Sequence, residues 1–231
     1  MIAIVTMLWN DPRYRRGDRY TPAHVHRLAS MVDRHLSLPH RHVCYTDDPR
    51  GIDGSISVRP IWRRHARLGG CWRKLGLFAP ELGTMLGLKR VLYLDLDTVV
   101  CGSLDPLVSE PVDLALVACR DHTTPYNTSA ILMNAGARPR VWADFTADPV
   151  EALRRTALSG MIGDDQAWVS VALGEGERTW TPSDGVLNLE RDIEPGGTLP
   201  TGARLVYFAG PHDPARPATR KLYPWIEEHW R

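Results

Sequence analysis

The sequence lacks any apolar run of the length that crosses a membrane, which takes about 20 mostly apolar residues. It also lacks the charge pattern of a secretory leader at its start. The first apolar stretch ends at Leu8, and its positive charges follow it instead of preceding it. We therefore predict a cytoplasmic protein with no integral membrane association.

Cysteines at metal-binding or redox spacing are also missing. Cys44, Cys71, Cys101 and Cys119 include no C-x-x-C pair, and two of them lie in or beside apolar, strand-like stretches. This arrangement predicts reduced thiols that pack as small apolar side chains.

Net charge is nearly absent, because 28 basic residues face 27 acidic ones. No field of the whole molecule would hold it on nucleic acid or on an anionic membrane, although a local patch could.

Lysine is scarce as well. Only Lys74, Lys89 and Lys221 are lysines, and the other basic residues are arginines. Each lysine is therefore a residue of interest.

What the chain does have is enough apolar content for one α/β core. Its 231 residues are 43% hydrophobic, and no break in composition divides them. A strand from Ile2 to Leu8, a helix starting at Thr21-Pro22 and a strand from His42 to Thr46 form a βαβ unit. This order predicts a single domain over residues 1–231 with a Rossmann-like mixed sheet flanked by helices.

The remaining elements follow from the same patterns. We expect strands at Ser55–Ile61, Val112–Cys119, Ser129–Met133 and Arg204–Phe208, and helices at Val150–Leu158, Asp164–Leu173 and Pro224–Arg231.

Two carboxylates follow a short apolar strand, Val91 to Leu94. Alternation with period two predicts that Asp95 and Asp97 point to one side and Leu96 to the other. At about 6 Å and an effective dielectric near 20, their repulsion is on the order of 3 kcal/mol. A bound cation would keep both ionised, and oxygen ligands favour Mg²⁺ or Mn²⁺. The alternative is a strand that ends in two solvated aspartates.

Five segments in order carry a family resemblance. They are Lys74-Leu75, the strand VLYLDLDTVV, Tyr126 to Ser129, Gly163 to Gln166, and LVYFAGP near the C-terminus. Together they resemble the A-type fold glycosyltransferases of family 8, the glycogenin-like group, over most of residues 1–217. The resemblance implies a GT-A-type fold with D-x-D at a strand end. It also implies metal-dependent, retaining transfer of a sugar from a nucleotide-sugar donor, typically a UDP-sugar.

The resemblance also implies site residues. Asp95 and Asp97 would bind the divalent metal, Mn²⁺ or Mg²⁺. The family's third ligand is a histidine where this chain has Tyr207 or Ala209, and we expect His212 to substitute. The predicted catalytic residues are Asn127, Asp165 and Gln166. The residues predicted to contact the nucleotide sugar are Thr6, Lys74, Asp95, Leu96, Arg216 and Lys221.

Because nucleotide-binding sheets are built in this element order, we expect residues 1–97 to form a nucleotide-binding half and residues 98–231 an acceptor-side half. We expect the segment from Gly210 to Trp225 to close over the donor diphosphate without forming a regular element.

The acceptor stays open between a saccharide, a lipid-linked sugar and a nucleic-acid base. Basic stretches that contain or adjoin tryptophan, Arg13 to Arg19 and Arg59 to Lys74, would border it. The alternative reading of these stretches is solvated loops with Trp62 and Trp72 in the core.

Two other functions fit part of the pattern. A haloacid-dehalogenase-like phosphatase would use Asp95 as nucleophile, but it needs a lysine between its acidic motifs, and none occurs from Arg90 to Arg220. A non-catalytic nucleotide-sugar binding protein would share the site and lack turnover.

Overall fold

The structure is a computed structural model and describes residues 1–10, 20–61, 70–120 and 124–231. Its first part runs through β1 (Ile2–Leu8), α1 (Pro22–His35), β2 (His40–Thr46), β3 (Ser57–Pro60), a 3-10 helix (Gly70–Phe78), α2 (Leu82–Leu86) and β4 (Arg90–Leu94). The chain then forms β5 (Val99–Val100), α3 (Asp105–Val108), β6 (Leu114–Ala118), β7 (Tyr126–Asn134), α4 (Arg140–Ala147), α5 (Pro149–Leu158) and α6 (Asp165–Leu173). It ends with β8 (Arg178–Trp180), a second 3-10 helix (Pro182–Asp184), β9 (Val186–Asn188), α7 (Leu189–Asp192), β10 (Leu205–Tyr207), α8 (Pro217–Leu222) and α9 (Trp225–His229).

A seven-stranded mixed sheet organises the fold, in the order β3-β2-β1-β4-β7-β6-β8. The strand β1 pairs in parallel with β2 on one side and β4 on the other, and β7 then pairs antiparallel with β4. A smaller sheet has the order β5-β10-β9. The predicted mixed α/β architecture is confirmed.

Each face of the large sheet carries its own apolar core, because successive side chains of a strand point to opposite faces. In β4, Leu92 and Leu94 belong to the core under α1, whereas Val91 and Tyr93 belong to the core on the other face. Helix α1 begins as predicted, with Thr21 at the cap and Pro22 in the first turn. Its apolar stripe is buried on the sheet, namely Val25, Leu28, Met31 and Val32.

Several element boundaries differ from expectation. The third strand covers only Ser57–Pro60, and the terminal helix ends at His229. The strand expected at Ser129–Met133 extends over Tyr126–Asn134, because β7 has pairing partners on both of its edges, β4 and β6.

The expectation of an irregular Gly210–Trp225 segment is wrong, because α8 forms within it. Pro217 opens this helix, where its fixed φ suits the first turn. Thr219 and Tyr223 are buried and anchor the helix and its C-terminal end to the core.

Two predicted absences can be compared with the structure. None of the four cysteines takes part in a disulfide; Cys44 is buried and the others are half-buried. Within the described residues, no helix combines the length and the apolar character needed to cross a membrane.

Candidate active site

The acidic motif lies in a turn at the carboxyl end of β4, not in the strand itself. Regular strand structure ends at Leu94, and the backbone N–H of Thr98 donates to the Asp95 carbonyl at 3.1 Å. Strand alternation therefore does not determine where Asp95 and Asp97 point, which corrects the sequence argument. The turn still lies where ligands collect in open α/β sheets, outside the carboxyl end of a central strand.

Lys74 is buried between two carboxylates at this edge. Its Nζ lies 3.3 Å from both oxygens of Asp95 and 3.2 Å from Oδ2 of Asp165. Only 5% of Lys74 is exposed. Burial by itself lowers the pKa of the ammonium, but Asp165 and Asp95 outweigh burial and raise the pKa above its ordinary value. Lys74 is therefore held as a cation in contact with Asp95 and Asp165.

Asp165 is the more buried of the two carboxylates. It opens α6 and is 4% exposed, and its Oδ2 accepts a hydrogen bond from the Thr128 hydroxyl at 2.6 Å. Burial raises the pKa of Asp165, while Lys74 and Thr128 act in the opposite direction. A carboxylate in the first turn also interacts favourably with the helix dipole. Asp165 therefore stabilises the positive charge of Lys74.

Two tyrosines that the sequence argument did not single out hold the acidic motif. The hydroxyl of Tyr93 donates to Asp95 Oδ1 at 2.6 Å, and the hydroxyl of Tyr20 donates to Asp97 Oδ2 at 2.7 Å. Tyr93 belongs to the core on one face of the sheet, and Tyr20 packs against the core on the other. The sequence position of Tyr93, two residues before Asp95, could have indicated that the two side chains meet. Tyr20 is distant from Asp97 in the sequence, so no such signal was present.

A bulge in β7 directs two neighbouring residues to the start of α6. Opposite β6, Val117 pairs with Asn127 and Leu116 with Ile131, so Thr128 to Ala130 are extra residues in β7. In a regular strand, Asn127 and Thr128 would point to opposite faces. Here Thr128 reaches Asp165, and the Asn127 side-chain amide donates to Gln166 Oε1 at 3.1 Å. Bulges often re-aim side chains next to active sites.

Gln166 is held in place by a tight turn that requires glycine. Gly163 has φ +89°, and a Cβ there would lie 2.6 Å from Cγ of Gln166. The Gln166 side-chain amide donates to the Ile162 carbonyl at 3.1 Å. The structure therefore brings Asn127, Asp165 and Gln166 together, and their catalytic roles stay a prediction.

Two of the predicted donor-contacting residues are largely enclosed. Thr6 is 6% exposed and donates to the Leu94 carbonyl at 3.0 Å, which ties β1 to the end of β4. Leu96 is 3% exposed and belongs to the core under α1. Any contact of either residue with a nucleotide sugar stays a prediction.

Two of the C-terminal candidates, His212 and Arg216, make contacts within their own segment. The His212 ring packs edge-on against Tyr223 at 5.7 Å, and Arg216 donates to the Pro211 carbonyl at 3.3 Å. Lys221 is exposed on α8. In the part of the chain that the structure describes, Asp95, Asp97 and His212 do not form a set whose ligand atoms all lie within 4.8 Å. The ligand role of His212 stays a prediction.

The chemistry of the acidic turn suits a hard divalent cation. Asp95 and Asp97 offer carboxylate oxygens, and Lys74 neutralises only part of the charge that they and Asp165 carry. The hydroxyl bonds from Tyr93 and Tyr20 do not preclude ligation, because metal-binding carboxylates are usually hydrogen-bonded themselves. Mg²⁺ in particular is often held by one or two carboxylates with substrate phosphates and water completing the shell.

The basic stretches proposed to border the acceptor fall mainly on residues 11–19 and 62–69, outside the described residues. Where they are described, they contribute to packing. Trp72 stacks on Phe145 with ring centroids 5.3 Å apart, and the buried Arg73 guanidinium lies 3.2 Å from Asp47. For Trp72, this agrees with the core alternative.

Comparisons with known proteins show the fold. No family model and no curated protein matches the sequence. Among solved structures, the galactosyltransferase LgtC in complex with donor and acceptor sugar analogues has 17% identity and a TM-score of 0.67, covering 98% of this chain and 94% of that one. An active-site mutant of LgtC has 14% identity and a TM-score of 0.59, covering 98% and 96%.

A second glycosyltransferase has the same architecture. GlyE of Streptococcus pneumoniae TIGR4 has 13% identity and a TM-score of 0.62, and the match covers all of this chain but 62% of GlyE. The chain therefore has the GT-A-type fold of these glycosyltransferases.

Proposed function

We propose that this GT-A-fold chain is a metal-dependent glycosyltransferase that moves a sugar from a nucleotide-sugar donor to an acceptor. The observation that carries the proposal is the acidic turn at the carboxyl end of β4, with Lys74 and Asp165 packed directly behind Asp95. The fold of the neighbouring structures supports the class of reaction.

Glycosyl transfer from such a donor releases a nucleoside diphosphate, so negative charge develops on the leaving group. A divalent ion held by Asp95 and Asp97 would stabilise that charge without transferring a proton. The chain's own part is to hold the two carboxylates in place before the donor arrives. Tyr93 and Tyr20 orient one aspartate each by a hydroxyl bond.

Lys74 has a positioning role in this proposal. Because it contacts both Asp95 and Asp165, it links the metal-binding turn to the start of α6. Asn127 and Gln166, joined by their side-chain amides, would present polar groups to the sugar. A preorganised set of this kind loses little free energy to reorganisation when charge develops.

The finer terms of the proposal are a UDP-sugar donor, Mn²⁺ or Mg²⁺ as the ion, a retaining outcome and a cytoplasmic location. The acceptor class stays open between a saccharide, a lipid-linked sugar and a nucleic-acid base. The phosphatase alternative gains no support from the fold, and the lysine beside Asp95 precedes the acidic turn in sequence instead of lying between two acidic motifs.

The test is a screen of nucleotide sugars for donor hydrolysis, with Mn²⁺ and EDTA arms. Parent protein, Asp97→Asn and Asp144→Asn would be compared, since Asp144 is an exposed helix carboxylate that serves as a matched control. We expect Asp97→Asn to lower metal-dependent turnover by about 10²-fold or more, as loss of charge stabilisation in a transition state does. Asp144→Asn should behave like the parent.

Three results would contradict parts of this proposal. Full turnover in EDTA would show that the reaction needs no divalent metal. Donor binding without any hydrolysis or transfer would indicate the non-catalytic binder. Release of phosphate from phosphorylated substrates, with no sugar transfer, would support the phosphatase alternative instead. Thermal unfolding of each variant separates these outcomes from misfolding.

A further inference from the structure

A second cluster of metal-ligating side chains lies at the other end of the sheet. We propose that Asp33, His40 and His42 form a divalent-metal site for a borderline ion such as Zn²⁺. In the described residues, their ligand atoms all lie within 4.8 Å of one another. The inference does not rest on the proposed glycosyltransferase activity.

The local structure explains why the three side chains meet. His40 opens β2 and His42 lies two residues on, so alternation directs both rings to the same face of the sheet. That face is covered by α1, and Asp33 lies in the last turn of this helix. The ligands therefore come from two rigid elements packed on each other, which is a favourable basis for a precise site.

The contacts converge on one carboxylate oxygen. Oδ1 of Asp33 lies 2.9 Å from Nε2 of His40 and 2.7 Å from Nε2 of His42. The two rings meet edge to face, with centroids 5.1 Å apart. The imidazole side chains are largely enclosed, at 14% and 16% exposure, whereas Asp33 is open to solvent at 59%. An ion can therefore enter from the Asp33 side.

The hydrogen bonds of His40 indicate that a positively charged group is needed between its ring and the Asp33 carboxylate. Its Nδ1 lies 2.8 Å from the Leu38 carbonyl, which can only accept, so Nδ1 carries a proton. A neutral imidazole has one N–H, and its Nε2 is then a lone pair that faces the Asp33 carboxylate. Either a second proton or a cation must lie between the two acceptors. A metal ion satisfies His40, His42 and Asp33 together.

The surrounding contacts are those of a metal ligand. Histidine ligands commonly donate their other ring N–H to a backbone carbonyl, as His40 does to Leu38, and this fixes the tautomer that can bind the ion.

The donor set selects the class of ion. Two imidazoles and one carboxylate, with water completing the shell, form an open site of the kind that Zn²⁺ and other first-row ions occupy. Mg²⁺ prefers oxygen ligands only. The set at Asp33 therefore differs in chemistry from the all-carboxylate turn at Asp95 and Asp97.

The two sites are also separate in space. Ile2 pairs with both His40 and Arg90, so His40 lies level with the start of β4. Asp95 lies five residues further along, roughly 16 Å at the rise of a strand. An ion at Asp33 would not reach a donor at the acidic turn, and its expected effect is to fasten the end of α1 to β2.

The experiment uses untagged, chelator-treated full-length protein, titrated with Zn²⁺ by calorimetry and with Co²⁺ by visible absorption. The parent should bind one Zn²⁺ per chain with micromolar or tighter affinity, show Co²⁺ ligand-field bands and unfold at a higher temperature with Zn²⁺. His42→Gln and Asp33→Asn should each weaken binding by about tenfold or more. His26→Gln, on the same helix, should bind like the parent.

Asp97→Asn is the second control, because it separates this cluster from the acidic turn. Zn²⁺ binding that survives Asp97→Asn and is lost in His42→Gln supports the proposal. No Zn²⁺ binding by the folded parent would overturn it. Binding that is lost in Asp97→Asn and kept in His42→Gln would also overturn it.

Discussion

Lys74 and Lys221 are both predicted to contact the nucleotide-sugar donor, yet the structure places them in opposite surroundings. Lys74 is buried and contacts Asp95, Asp165 and Thr128 within 3.3 Å. Lys221 is exposed on α8, in a segment whose polar contacts are mostly local. The first lysine belongs to a network of fixed charges, and the side chain of the second is open to solvent.

The difference shows what burial does to the meaning of a charge. A buried cation with two carboxylates is part of the folding free energy, since removing one member leaves the others uncompensated. An exposed lysine contributes little to folding, because water and salt screen it. The same residue type therefore predicts a stability effect at Lys74 and a binding effect at Lys221.

The largest expected effect is that of Lys74→Met. It removes the cation and leaves Asp165 fully buried beside Asp95, which should lower the free energy of unfolding by about 3–5 kcal/mol at neutral pH. Chemical denaturation measures this directly. The double variant Lys74→Met with Asp165→Asn should recover part of the loss, because it removes the uncompensated charge; a double variant as unstable as the single one would contradict the account.

The pH dependence of Lys74→Met has a defined sign. Burial already raises the pKa of Asp165 in the parent, and Lys74 opposes that rise. Without Lys74 the folded-state pKa of Asp165 rises further above its unfolded value. Between those two values the folded state binds more protons, so the variant should become more stable as the pH falls from 7 toward 5. A variant that loses stability over that range would contradict the role assigned to Asp165.

A medium effect is expected at Thr128, whose hydroxyl joins Lys74 to Asp165. Thr128→Val keeps the shape but removes a donor to Asp165 and an acceptor for Lys74, which should cost about 1–3 kcal/mol of unfolding free energy. Thr156→Val is the matched control, because Thr156 is also buried but bonds only to a helix carbonyl. Equal losses at the two positions would show that the charged network adds nothing.

The sequence was sufficient for elements whose periodicity and end signals agree. Helix α1 has a capping threonine, a proline in its first turn and an apolar stripe, and β1 and β4 are short apolar runs. The family resemblance selected Lys74 and Asp165 as site residues, and the structure brings them together. These features depend on local sequence or on motif order, so one chain was enough to predict them.

The rest depends on contacts between distant segments. Tyr20 reaches Asp97 from 77 positions away, and no local pattern encodes that distance. The bulge that turns Thr128 toward Asp165 is visible only once β6 and β7 are paired. Helix α8 is not among the predicted elements, although proline at the first helical position is a signal for a helix start.

The smallest effect on stability, and the sharpest test of the comparison, is expected at Lys221. Lys221→Ala should change the free energy of unfolding by less than about 0.5 kcal/mol, since the side chain is exposed at a helix end. If Lys221 contacts the donor diphosphate, the same variant should weaken UDP binding several-fold, and the loss should shrink as salt increases because the contact is screened.

Lys89→Ala is the matched control: Lys89 is exposed too, but it precedes the amino end of β4, away from the acidic turn. Calorimetry with UDP at two salt concentrations compares the three proteins. If Lys221→Ala binds UDP like the parent, Lys221 does not contact the donor. The two lysines would then differ in burial but not in ligand binding.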